Sequence, residues 1–131
     1  DTVMPGLAGN DFGDAIRSVS NTAAEDEKDV GKVSCDLQLF RCFTEGFLEK
    51  TSKSFTHKEI ETFGASCFSM TVEVAVRFLT DYLQGDEYFH CAYPEHNLVR
   101  ARAQIALAQD MQRKMDEMNR IVAECAAKYR A

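Results

Sequence analysis

The 131-residue chain has no basic excess, no paired-cysteine motif, no long apolar run and no tryptophan. Fifteen Lys and Arg face 21 Asp and Glu, giving a net charge of −6. A nucleic-acid binder ordinarily shows a basic stripe, so no nucleic-acid partner is expected. Charge sign decides little more, because an enzyme that handles phosphate needs only a few local cations. No stretch of about 18 apolar residues is present, and no membrane span is expected. There is no signal peptide either, which reads as a cytoplasmic location. The five cysteines, Cys35, Cys42, Cys67, Cys91 and Cys125, are odd in number and include no C-x-x-C. That spacing argues against a disulfide framework and for buried, reduced thiols. His57, His90 and His96 do not supply the short paired spacing of a zinc site.

What is present reads as one soluble globular core, with 45% apolar and 27% charged residues. The chain opens at Asp1, inside DTVMPG and without an initiator Met, like a piece of a longer protein. Residues 1–34 read as irregular. Pro5, Gly6, Gly9 and Gly13 interrupt periodicity, and TAAEDEKDVGK is polar and acidic. Only Asp14–Arg17 suggests a short helix, with Asp11 or Asp14 as its cap. From residue 35 to 131 the pattern is helical, with helices expected near 35–50, 57–84 and 97–128. Leu39, Phe40, Phe43 and Phe47 mark the apolar face of the first. Thr56 and Glu59 form a capping box at the start of the second, with Phe55 placed as a staple against Ile60. Its stripe runs through Ile60, Phe63, Cys67, Met70, Val74, Phe78 and Tyr82. Gly64 marks a close helix contact or a break, and Gly85 a left-handed C-terminal cap. After a connector containing Pro94, Asn97 is expected to cap the third helix. Leu98, Ile105, Ala108, Met111, Met115, Met118, Val122 and Cys125 keep its period over about 45 Å. With no convincing strand, the fold class is all-α.

Two stretches resemble a known family. DTVMPG, followed by DFGDAIR and TAAEDEKD, and then RFLTDYLQGDEYF with PEHNLVRARAQ, are similar to the last third of N-acetylhexosamine 1-kinases. These belong to the aminoglycoside phosphotransferase and choline kinase group, and the resemblance covers nearly the whole chain. It implies the helical C-terminal subdomain of a protein-kinase-like fold, with residues 1–34 continuing from a catalytic core that lies upstream. The intact enzyme would move the γ-phosphoryl of ATP to the anomeric hydroxyl of an N-acetylhexosamine. Such transfer depends on a Mg²⁺ clamp, an aspartate on the attacking hydroxyl and a phosphate-gripping lysine. By the same resemblance the catalytic residues fall outside this chain. ATP and Mg²⁺ belong to the intact enzyme, and neither is expected on this piece alone. Asp1 matches the second acidic position of an I-D-x-D-T-type stretch, beside the principal metal ligand.

Arg77 and Tyr88 match family positions that line the sugar pocket. A guanidinium fork can hold two neighbouring oxygens, and a phenol offers a ring face and a donor. The plainer alternatives are an Arg77–Asp81 surface pair and a packed Tyr88. Asp11-Phe12-Gly13 spells the metal-binding tripeptide of protein kinases, but its position assigns it a structural role. The family tends to place an aromatic late in the last helix against the sugar. Here Met115 and Met118 occupy that region and read as core. A second function class is a helical interaction module whose apolar stripes dock a partner helix. Separated from its upstream half, the chain is expected to form a homodimer through Phe40, Phe43 and Phe47 or the Met70–Phe78 face.

Overall fold

The computed structural model describes residues 8–130, and the chain is all-α throughout them. Six helices follow one another: α1 (Ala8–Val19), α2 (Leu37–Thr51), α3 (His57–Glu61), α4 (Phe63–Leu83), α5 (His96–Arg113) and α6 (Met115–Arg130). Short 3-10 turns at Val30–Lys32 and Ser52–Ser54 complete the order. No strand forms among the described residues. A single antiparallel bridge, Asn21 to Cys35, draws the two ends of the acidic loop together.

The first correction concerns residues 1–34. Ala8–Val19 is a regular helix rather than irregular chain. Phe12 and Ile16, one turn apart, are fully buried. Gly9 and Gly13 lie one turn apart against α4. A Cβ on Gly13 would stand 2.6 Å from the Ser66 carbonyl oxygen and 3.1 Å from the Cys67 nitrogen. Glycine costs a helix roughly 1 kcal/mol relative to Ala, and here that loss is exchanged for backbone contact between α1 and α4. Asp14 is no cap. It sits inside α1 and pairs with Arg17 at 3.4 Å.

α1 also covers the aromatic face of α2. The Phe12 ring lies 6.0, 5.9, 5.2 and 4.8 Å from the rings of Phe40, Phe43, Phe47 and Phe63. The phenylalanine stripe expected to remain bare is therefore covered in part from within the chain: Phe40 is fully buried, while Phe43 and Phe47 are half-buried. Asp36 caps α2 by accepting the N–H groups of Gln38 and Leu39 at 2.8 and 3.1 Å. Leu39, read as part of the buried face, is 42% exposed, and Thr44 and Leu48 are buried instead.

The helix expected over 57–84 divides at Thr62. Its start is the anticipated capping box: Glu59 N–H donates to the Thr56 hydroxyl at 3.0 Å, and Thr56 N–H to the Glu59 carboxylate at 2.7 Å. Phe55 stacks against Phe47 and meets Phe63 edge-on. One turn on, the Thr62 N–H and hydroxyl both bond the Glu59 carbonyl, ending α3. Gly64 is the close contact foreseen, since a Cβ there would press on Asn119 and on Met115 Sδ, 3.2 Å away. α4 lies between α1 and α5. It buries Phe63, Cys67, Thr71, Ala75 and Phe78, a row drawn one residue away from Met70, Val74 and Tyr82, which are half-buried.

The third long helix is two. It breaks at Lys114, whose N–H is shared between the carbonyls of Asp110 and Met111. At that break Asp110 Oδ2 accepts the Cys35 N–H and the Lys114 ammonium, each at 2.7 Å, and the ammonium also donates to the Cys35 carbonyl at 2.7 Å. Burial pushes the Asp110 carboxyl up, but the bonds from Lys114 and Cys35 outweigh it and leave the group below the usual carboxylate range. Met118, Val122 and Cys125 are core as expected; Met115 is half-buried and Ile105 is 44% exposed. Cys35, Cys67 and Cys125 are buried thiols, whereas Cys42 is exposed and Cys91 half-buried.

Candidate functional site

The site lies where α4 turns into α5. Gly85, at φ +102°, and Asp86, at φ +61°, carry the chain out of the helix in left-handed conformations. The Asp86 N–H returns to the Asp81 carbonyl at 2.7 Å and the Gly85 N–H to the Tyr82 carbonyl at 3.3 Å, the bond pair of a Schellman cap. Gly85 thus does what its place in the sequence indicates, and Asp is among the few other residues that tolerate this backbone region.

Asp81 organises the segment that follows. A carboxylate in the last turn of a helix faces the negative end of the helix dipole, so it needs other partners. It is 5% exposed and accepts the N–H groups of Tyr88 at 2.8 Å and Phe89 at 3.0 Å and the Asn97 amide at 2.7 Å. Desolvation raises its affinity for a proton, yet those donors prevail and hold the carboxyl below its ordinary value. Asn97 is not the helix cap expected of it. α5 begins at His96, and the Asn97 side chain is fully buried, donating to Asp81 and Asp86 and accepting from Arg100 at 2.9 Å. His96 forms a second tie. Its Nδ1 accepts the Ala92 N–H at 3.0 Å, which leaves Nε2 to donate to Asp26, 2.8 Å away. This bond comes first among the influences that lower the Asp26 carboxyl, and it holds the acidic loop against α5.

On this frame the two site residues read from the sequence come together. Arg77 and Tyr88 line one cleft of about 420 Å³, together with Val76, Thr80, Gln84 and Phe89. Its size falls within the roughly 300–1,000 Å³ of small-molecule pockets. Arg77 pairs with Glu73 at 2.8 Å, not with Asp81, and both partners are largely exposed. Tyr88 is 80% exposed, and its ring meets Phe89 edge-on at 4.8 Å. Tyr88 is therefore not packed away, and Asp81 is committed to the loop rather than to Arg77. No protein-family model matches the chain.

Of the remaining sequence candidates, those among the described residues lie apart from this cleft. Asp1 and the DTVMPG segment fall outside the described residues. Asp11 is exposed on α1, Phe12 is central to the core, and Gly13 meets α4. Among the described residues, no group of three His, Cys, Asp or Glu side chains is arranged to hold a metal ion. None of the described helices is long and apolar enough to cross a membrane. Sequence reasoning gave Arg100 and Phe89 no role, and read Asp81 as a surface partner of Arg77 and Asn97 as a helix cap. Only Asp81 carried a signal, as an acid placed at the unfavourable end of a helix.

Proposed function

We propose that the chain is the acceptor-binding, helical part of an ATP-dependent sugar 1-phosphotransferase acting on an N-acetylhexosamine. Its architecture would then be the helical C-terminal subdomain of an aminoglycoside phosphotransferase-like kinase, working in the cytoplasm. The observation that carries this reading is the shared cleft. Arg77 and Tyr88, singled out by their place in RFLTDYLQGDEYF, line one opening of sugar size. A guanidinium fork, an exposed phenol ring, a threonine hydroxyl and a glutamine amide supply the mixture of donors, acceptors and stacking surface that a hexosamine ring uses. Asp81 serves as a positioning residue by fixing the backbone of Tyr88 and Phe89. ATP, Mg²⁺ and the groups that orient the attacking hydroxyl are assigned to the part of the enzyme preceding DTVMPG.

The test is a titration of N-acetylglucosamine into the ¹⁵N-labelled chain. Saturable shifts confined to residues 76–89 are expected, and they should weaken about tenfold or more in Arg77→Ala, the loss of one charge-assisted hydrogen bond. Uniform or absent shifts up to about 100 mM sugar would remove the sugar reading.

A second reading, that of an interaction surface, has its own observation. Val72, Val76, Leu79 and Leu83 follow one another along α4 and are 36%, 55%, 36% and 74% exposed. Beside them Glu73 and Arg77 stand one turn apart. A two-fold pairing of α4 with its copy near Val76 would set Glu73 against the second copy's Arg77 and cover the stripe. The occupant we propose for this face is a second copy of the chain, a homodimer formed through α4.

A further inference from the structure

A second cleft of about 420 Å³ adjoins the first, and Arg77 and Phe89 line both. Arg17 from α1, His90 from the connector and Arg100 from α5 join Arg77 on its walls, with Asp14 and Glu25. Three arginines thus meet at one opening of a chain whose net charge is −6.

The two acids are already committed. Glu25 pairs with Arg17 at 2.6 Å and Asp14 pairs with it at 3.4 Å, and Arg17 also reaches the Gln104 amide oxygen at 3.4 Å. Arg77 uses one nitrogen, Nη2, on Glu73. Arg100 differs from both, because it forms no ion pair with a carboxylate among the described residues; the Asp26 carboxylate, near enough to feel its charge, is bonded to His96 instead. Its Nη1 donates to Asn97 Oδ1 at 2.9 Å, and its guanidinium lies over the Phe78 ring, 5.4 Å from the centroid. Asn97 is itself fixed by Asp81 and Asp86. The guanidinium is therefore oriented before any ligand arrives, half-buried, and seated on an aromatic face.

We propose that this second cleft is an oxyanion site that takes a phosphate group, gripped by Arg100 with Arg77 and His90 beside it. A planar fork held in place loses little freedom on binding, and its geometry matches the paired oxygens of a phosphate. Phe78 and Phe89 on the walls limit competition from water. The site does not depend on the sugar reading of the first cleft. If that reading also holds, the shared wall makes the natural ligand a hexosamine bearing an anionic substituent, its ring in one cleft and its charge in the other.

The experiment titrates inorganic phosphate into the ¹⁵N-labelled full chain, with ionic strength held constant by sodium chloride. Saturable shifts at Phe89, His90 and Arg100 are expected with a Kd of about 1–10 mM. Arg100→Gln should weaken binding about tenfold, and His90→Gln should weaken it measurably. Arg102→Gln, which changes an exposed α5 cation that does not line the cleft, should leave it unchanged. Absence of saturation below about 50 mM, or an equal loss in Arg102→Gln, would overturn the site. Should Arg100→Gln not fold, the proposal stands or falls on His90→Gln measured against Arg102→Gln. A parallel titration with N-acetylglucosamine separates the two assignments. Phosphate binding without sugar binding sinks only the first cleft's reading, and sugar binding without phosphate binding sinks only this one.

Discussion

The tripeptide Asp11-Phe12-Gly13 offers a sharp test, because a metal-binding motif and a packing motif give opposite orders of sensitivity. Phe12 has no exposed surface and touches four other phenylalanine rings at 4.8–6.0 Å. Truncating such a side chain costs about 3–5 kcal/mol, transfer and cavity contributions together. With a urea m-value of about 2 kcal/mol/M for a chain of this size, Phe12→Ala should lower the unfolding midpoint by about 2 M. Phe12→Leu keeps most of the volume and should cost about 1–2 kcal/mol, so the order can be read even if the alanine variant does not fold. Gly13→Ala gains roughly 1 kcal/mol of helix propensity but places a methyl group 2.6 Å from the Ser66 carbonyl oxygen. Because the obstacle is backbone, α1 and α4 must separate, at a cost of about 1–3 kcal/mol, and the net effect should be destabilising. Asp11 is exposed in the first turn of α1, where its favourable position near the helix dipole is worth less than about 1 kcal/mol. Urea denaturation followed by circular dichroism, with and without millimolar Mg²⁺, measures all four variants. A metal ligand at Asp11 would make the wild-type midpoint rise with Mg²⁺ and the rise vanish in Asp11→Ala. That outcome, or a larger loss from Asp11→Ala than from Phe12→Leu, would refute the packing argument.

Two further expectations concern the tie at the α5–α6 break and the exposed face of α4. The folded-state pKa of Asp110 is depressed below its unfolded value of about 3.9. Its contribution is therefore fully present above about pH 5 and lost as pH falls through the lower folded value. Asp110→Asn should flatten that part of the acid-unfolding profile, and an unchanged profile would show that the Cys35–Asp110–Lys114 tie adds nothing. Sedimentation of the chain up to about 100 μM should show a monomer–dimer equilibrium that Val76→Glu and Leu83→Glu abolish. A strictly monomeric wild type, or dimers indifferent to both changes, would remove the α4 pairing.

Local chemistry was legible from residue order alone. The Thr56–Glu59 capping box and the left-handed Gly85 rest on bonds within a few residues, so neighbouring side chains suffice to specify them. The same holds for the all-α class and for Met118, Val122 and Cys125 as core, because a 3.6-residue period is a property of one segment. The resemblance pointed to Arg77 and Tyr88 as candidates, and the turn at Gly85 and Asp86 is what brings the two to one cleft.

What the sequence by itself could not determine was how the segments meet. Gly9 and Gly13 are helix-weakening residues in isolation, and only the approach of α4 turns their missing side chains into contact surface. The phenylalanine stripe of α2 looks bare until Phe12, 28 residues before Phe40, is folded onto it. The break at Lys114 depends on Cys35, which lies 79 residues away, and the burial of Asp81 depends on the loop and Asn97 returning to it. The orientation of the Arg100 guanidinium depends on Asn97, which Asp81 and Asp86 fix from the preceding turn. Periodicity reports that a helix has a face to bury, but the neighbour that covers it, and the partner that orients a buried polar group, are properties of the folded chain.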